Sequence, residues 1–274
     1  MKNILFPTDF SENSMQAFPY ALDIAFLFDA HLTLFNAYKL PHSKSNLLVS
    51  IVERMKEDSE KELNKLREKA LEKPKYKKLS ISVDARAGSL VSLIPKLAVD
   101  CSSNLIVMGT KGADSIKEVL IGSNTLEVIQ TTKCPVLAIP RNAHNNPISK
   151  IAMATDFKKV KDYKQLIPLF EMARICKASI EFVNVIQPNE SIDEKERSES
   201  VTKLMDMAGD ITTSIHFVTN KDIIDGLSDY LGNSNAGMLA MLSRKHTLFE
   251  RIFTKSITHK LSFRTEIPLL VMDE

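Results

Sequence analysis

The strongest constraint on what this chain can fold into is an internal repeat. An apolar run, Asn3-Ile4-Leu5-Phe6-Pro7, ends in Thr8-Asp9-Phe10, and a second, Lys150-Ile151-Ala152-Met153-Ala154, ends in Thr155-Asp156-Phe157. Further along, Leu32 to Ala37 is matched by Ile180 to Val185, with Asn36 and Asn184 in corresponding places, and Cys134-Pro135-Val136 by Ile267-Pro268-Leu269. Three matches in the same order indicate a tandem duplication. With 274 residues, 44% of them hydrophobic, each copy has material for its own core.

Within the first copy, short apolar runs near residues 2–7, 31–37, 79–85, 104–109 and 135–139 alternate with helical patterns at about 12–29, 45–73, 89–102 and 123–132. That alternation predicts βαβ units and a parallel sheet. Leu105-Ile106-Val107-Met108 is continuously apolar, as a strand buried on both faces requires. Ser11 stands where an N-cap of the first helix belongs. Pro19 and Pro168 fall inside helical patterns, where proline removes a hydrogen bond and is expected to kink the axis. The polar stretch Arg141 to Pro147 reads as a linker, giving domains 1–144 and 148–274. The second copy is shorter in its middle, where the first has a long helix rich in glutamate and lysine. That charge pattern reads as a solvated helix face.

Glycine is scarce: before residue 145 it occurs at Gly88, Gly109, Gly112 and Gly122, and three of these lie in one segment after the fourth strand. Glycine permits positive φ and close approach of a ligand to the backbone, exposing N–H groups to a polyanion. Ser123 then opens a helix whose first-turn amides and partial positive charge favour phosphate.

The spacing Gly109-x-x-Gly112, nine residues, Gly122-Ser123, together with the Pro7-Thr8-Asp9 strand end and the closing Cys134-Pro135-Val136, resembles the universal stress protein family. With the duplication, the resemblance extends over essentially the whole chain as a tandem member. It implies an α/β fold of two tandem Rossmann-like domains, each a five-stranded parallel sheet with helices on both faces. It implies that Asp9, beside Thr8, bonds the ribose or adenine end of ATP, and that the backbone around Asn36 and Ala37 lines the adenine slot. Gly109, Gly112, Gly122, Ser123 and Asn124 would take the phosphates, with or without magnesium, and Pro7 and Met108 would complete the wall.

The second copy departs from this pattern. Leu242, Lys245 and Lys255 stand in place of the three glycines, with Ser256 and Thr258 retained, so its site is expected to be empty and structural. Asp156 then reads as a helix or turn cap. Neither a Walker A loop nor a Rossmann G-x-G-x-x-G is present. No acid/base pair, catalytic residue or metal cluster emerges; Asp114 and Glu118 read as surface acids, and binding with slow or no turnover is expected. Cys101, Cys134 and Cys176 form no C-x-x-C pair and read as buried thiols. A net charge of +2 gives no nucleic-acid footprint. No apolar run of about 18 residues offers a membrane span, and the opening residues lack a secretory core, which places the expectation in the cytoplasm. The expected role is regulation in a stress response, with the second domain as an intramolecular pseudo-dimer partner and a homodimer as a further possibility. A nucleotide-independent interaction scaffold and a weak ATPase are the alternatives.

Overall fold

A computed structural model describes residues 1–39, 48–110, 122–158, 160, 162–188, 191, 193–243 and 266–273. They divide into two compact units, one reaching Arg141 and the other starting at Asn142.

The first unit runs β1 (Asn3–Pro7), α1 (Glu12–Gln16), α2 (Phe18–Phe28), β2 (His31–Tyr38), α3 (Leu48–Leu71), β3 (Ile81–Ala87), α4 (Leu90–Asp100), β4 (Leu105–Gly109), α5 (Ser123–Thr131) and β5 (Val136–Ile139). Its strands are all parallel and lie in the order β3-β2-β1-β4-β5. The order reverses between β1 and β4, and in open parallel sheets the crevice at the carboxyl ends of two such strands is where ligands bind.

Helices cover both faces. Residues three apart on a strand point to opposite sides. Asn36 on β2 meets Ser59 of α3, whereas Thr33 meets Cys101, the residue that ends α4. Phe6, fully buried and level with Leu34, stacks on Phe18 of α2 with ring centroids 5.3 Å apart. Each such side chain removed from water contributes about 1.5–3 kcal/mol, and β1, β2 and β4 supply ten of them, Ile4 to Phe6, Leu32, Leu34, Phe35 and Leu105 to Met108. In α3 the residues turned inward are Ser59, Leu63 and Ala70, a helical spacing within an otherwise charged sequence.

The second unit runs β6 (Lys150–Ala154), α6 (Ile167–Cys176), β7 (Ser179–Ile186), α7 (Glu194–Ala208), β8 (Thr213–Thr219), α8 (Ile223–Ser234), β9 (Met238–Ser243) and β10 (Leu269–Asp273). Its parallel order, β8-β7-β6-β9-β10, repeats the first, with the switch point between β6 and β9. The repeat extends to the helix ends. Asp29 and Lys177 terminate α2 and α6 in the left-handed region, at φ 48° and 54°, and the alanine after each donates its N–H back at 2.9 and 2.8 Å.

The two prolines correct the sequence expectation. The first helical pattern is two helices joined at Ala17, and Pro19 occupies the second position of α2; Pro168 does the same in α6. First-turn N–H groups have no intrahelical partner, so proline costs no bond there and its fixed φ suits the start. Neither proline kinks a helix.

Candidate functional site

After β1 the chain makes a turn held from three sides. The Thr8 N–H donates to the Phe35 carbonyl at 2.8 Å, and the Thr8 carbonyl accepts from Asn36 Nδ2 at 2.7 Å. Asn36 Oδ1 accepts in turn from Ser59 Oγ of α3, also at 2.7 Å, and all three residues are buried. The Thr8 hydroxyl accepts the Phe10 N–H at 3.0 Å and lies 2.9 Å from Ser14 Oγ. This pins Phe10 at φ 60°, a region a bulky side chain seldom enters. Asp9 is exposed at the apex; its Oδ1 accepts from the Ser11 N–H (3.1 Å) and hydroxyl (2.6 Å). Ser11 caps α1 by accepting the Ser14 N–H at 3.2 Å. Asp9 therefore fixes the orientation of the capping serine.

On the other side of the switch point, β4 ends at Gly109. Its carbonyl accepts from Thr125 Oγ1 at 2.9 Å, and the Thr110 carbonyl accepts the Gly122 N–H at 2.6 Å, so both residues bind the start of α5 to the strand end. Gly122 is the N-cap and no side chain caps the helix. The first amide that turns back into the helix is that of Leu126, to Gly122 at 3.1 Å. The amides of residues 123–125 precede it, at the positive end of the helix dipole.

Gly109 is bare for a reason other than the one the sequence suggested. Among the described residues, positive-φ glycines are Gly88 and Gly209, not Gly109 or Gly122. A Cβ on Gly109 would lie 2.7 Å from the Asn13 carbonyl oxygen and 3.2 Å from Ser14 Cα. The close approach at this position is therefore made by the backbone of α1.

The residues singled out from the sequence separate by exposure. Asp9, Ser123 and Asn124 are exposed and Ala37 is half-buried, so these four can meet a ligand. Pro7, Thr8, Asn36, Met108, Gly109 and Gly122 are buried and form the floor beneath them. Gly112 lies outside the described residues, as do Asp114, Glu118, Lys245, Lys255, Ser256 and Thr258. Sequence reasoning missed Ser14, Ser59 and Thr125, the buried hydroxyls that hold the turn and the strand end. Their signal was helical phase: Ser59 shares a face with Leu63, and Thr125 with Val128 and Ile129.

Among the described residues, the second unit builds the same turn with fewer supports. The Thr155 N–H donates to Val183, Asn184 Nδ2 donates to the Thr155 carbonyl (both 2.9 Å), and Phe157, at φ 52°, donates its N–H to the Thr155 hydroxyl at 3.0 Å. Asp156 Oδ1 accepts the Lys158 N–H at 3.1 Å, a turn cap. Leu242, at the place of Gly109, is 9% exposed.

The cysteines are free thiols, and burial pushes Cys134 up to about 12 and Cys176 to about 11, so both are unreactive at neutral pH. Among the described residues no group of three or more His, Cys, Asp or Glu is placed to hold a metal ion, and no helix is long and apolar enough to cross a membrane.

Residues 1–140, just over half the chain, match the family model described as the universal stress protein family. The chain belongs to this family. A universal stress protein of Methanocaldococcus jannaschii is 32% identical over 146 residues, 51% of this chain and 82% of that relative. The crystal structure of a universal stress protein from Archaeoglobus fulgidus superposes with a TM-score of 0.75 at 21% identity, covering 99% of this chain and 98% of the other, which establishes the tandem α/β fold over both units. A universal stress protein solved in complex with cAMP matches 50% of this chain and 96% of its own at 23% identity, with a TM-score of 0.39.

Proposed function

We propose that the first domain holds an adenine nucleotide, ATP in the first instance, and that the protein acts as a nucleotide-binding regulator in a stress response. The observation that supports this reading is the start of α5, where consecutive amides without a side-chain cap lie at the carboxyl end of β4, beside the strand-order switch. Ser123 and Asn124 would take the phosphates on the first-turn amides of α5, above the bare backbone of Gly109 and Gly122, with Gly112 as the third glycine of the pattern. Asp9 and the backbone at Ala37 would meet the ribose and adenine, while Pro7, Thr8, Asn36 and Met108 hold the floor. Magnesium, where ATP carries it, would arrive with the phosphates.

Hydrolysis at most slow is the expected behaviour. The second domain, with Leu242 at the strand end, is read as a pseudo-domain that takes no nucleotide and serves the first as a permanent partner in place of a second copy. Residues 1–144 alone are then expected to dimerise or aggregate, and a monomer in sedimentation would count against that part.

Titration calorimetry of the full chain with ATP tests the binding reading. Saturable heat is expected from the wild type and none from Gly122→Lys, whose side chain would crowd the helix start. A wild-type protein that ignores ATP at millimolar concentration would leave an interaction scaffold as the remaining role. Phosphate release over hours, lost in Gly122→Lys, would instead identify a slow ATPase.

A further inference from the structure

Arg141 leaves β5 two residues beyond Ile139, and Ile139 is level with Gly109 on the neighbouring strand. Its Nη2 lies 3.0 Å from Oε2 of Glu12, in the first turn of α1. The residue after Glu12, Asn13, is the one whose carbonyl presses on Gly109. The ion pair therefore links the β5 side of the β4 end to its α1 side, and the Gly109 and Thr110 carbonyls at that strand end hold the start of α5.

Both side chains are exposed, Arg141 by 52% and Glu12 by 75%, and an ion pair this open holds neither partner firmly. A polyphosphate at the α5 start would offer Arg141 a better acceptor: two oxygens in a geometry that fits the guanidinium fork, with several negative charges behind them. The second half differs at the same point. Counting on from the matched Pro135 and Pro268, the residues after the last strand's apolar run are Pro140-Arg141 in the first half and Asp273-Glu274 in the second. The strand-exit cation accompanies the copy that kept its glycines.

We propose that Arg141 is a specificity residue for the phosphate chain, restrained by Glu12 in the free protein and transferred to the terminal phosphates when a nucleoside di- or triphosphate binds. This rests on the nucleotide reading of the first domain. Glu12 has the opposite effect, as a competitor for Arg141 and a negative charge beside the polyanion.

The test is calorimetry on the full chain, wild type against Arg141→Ala, Arg141→Lys and Glu12→Gln, each titrated with adenosine, AMP and ATP. Arg141→Ala is expected to weaken ATP by about tenfold, the size of a partly solvated charged hydrogen bond. AMP is expected to lose less and adenosine nothing. Arg141→Lys, which keeps charge without the fork, falls between; Glu12→Gln tightens ATP by about two- to threefold, and raising the salt narrows both differences. Wild-type ATP affinity in both Arg141→Ala and Glu12→Gln would overturn the proposal, as would equal loss for adenosine and ATP in Arg141→Ala. A wild type that binds no ATP would overturn the nucleotide reading itself, and that result appears before any variant is made.

Discussion

The carboxyl ends of β1 and β6 and those of β4 and β9 are two pairs of equivalent places, and they have diverged to different degrees. At β1 and β6 the core of the turn is shared: the threonine N–H to the next strand, the asparagine amide to the threonine carbonyl, and the phenylalanine in the left-handed region under the threonine hydroxyl. At β4 and β9 the first domain has a bare strand end against which α1 packs, and the second has Leu242. The turn keeps the fold in register, because a left-handed phenylalanine persists only where its surroundings over-determine it. The strand end distinguishes the copies, since a side chain there decides whether α1 can sit close.

The largest effect is expected from exchanging that difference. Gly109→Leu should cost about 3 kcal/mol through overpacking against Asn13 and Ser14, and abolish nucleotide binding. Leu242→Gly should cost a similar amount for the opposite reason, an unfilled void in a central strand, and create no binding. Guanidinium unfolding and ATP calorimetry measure both; equal tolerance of Gly109→Leu would mean that α1 packing does not set the difference.

Next come the two asparagines. Asn36→Ala strands the Thr8 carbonyl and the Ser59 hydroxyl in a buried place and should cost about 2 kcal/mol; for Asn184→Ala, which releases the Thr155 carbonyl, about 1 kcal/mol is expected. Denaturant midpoints give the ranking, and a reversed order would show that the extra support from α3 is idle.

A third contrast appears under acid. Where β2 carries Thr33, β7 carries Glu181, which is 9% exposed, with Lys150 Nζ at 2.8 Å, Tyr230 OH at 2.6 Å and His216 Nε2 at 4.0 Å. Burial pushes this carboxyl up, but the Lys150 and Tyr230 hydrogen bonds outweigh it and hold Glu181 below its ordinary value. A carboxylate whose folded pKa is depressed stabilises the fold above its unfolded value and loses that contribution as pH falls through the folded one. The second domain is therefore expected to lose stability below the ordinary carboxylate value of 4.5, and Glu181→Gln to flatten that part of the profile. Hydrogen exchange resolved by domain would show it; an identical pH slope in Glu181→Gln would remove the carboxylate from the account. The smallest effects belong to Pro19→Ala and Pro168→Ala, below about 1 kcal/mol each in thermal unfolding, because both prolines sit in a helix's first turn.

The strands and helices were largely legible because buried parallel strands read as unbroken apolar runs and the helices between them keep a 3.6-residue period. The break at Ala17 was not legible: α1 and α2 are both helical and share one apolar pattern, so only the proline marked the restart. In the site, the glycine spacing and the duplicated Thr-Asp-Phe were visible as strings. For Ser59 and Thr125 the helical phase marked only a buried face, and for Ser14 nothing did, since no local pattern says which distant group a hydroxyl meets.

The amino-acid sequence by itself determined the duplication, the α/β class and the position of the glycine-bearing segment, because these depend on the order and period of residues along the chain. Only the tertiary structure decided what Gly109 makes room for, which hydroxyls hold the Thr8 turn, and that Arg141 meets Glu12 across the end of β4. Those facts depend on distances between residues far apart in sequence, and such distances are fixed when the sheet brings its strand ends together, not by any local pattern.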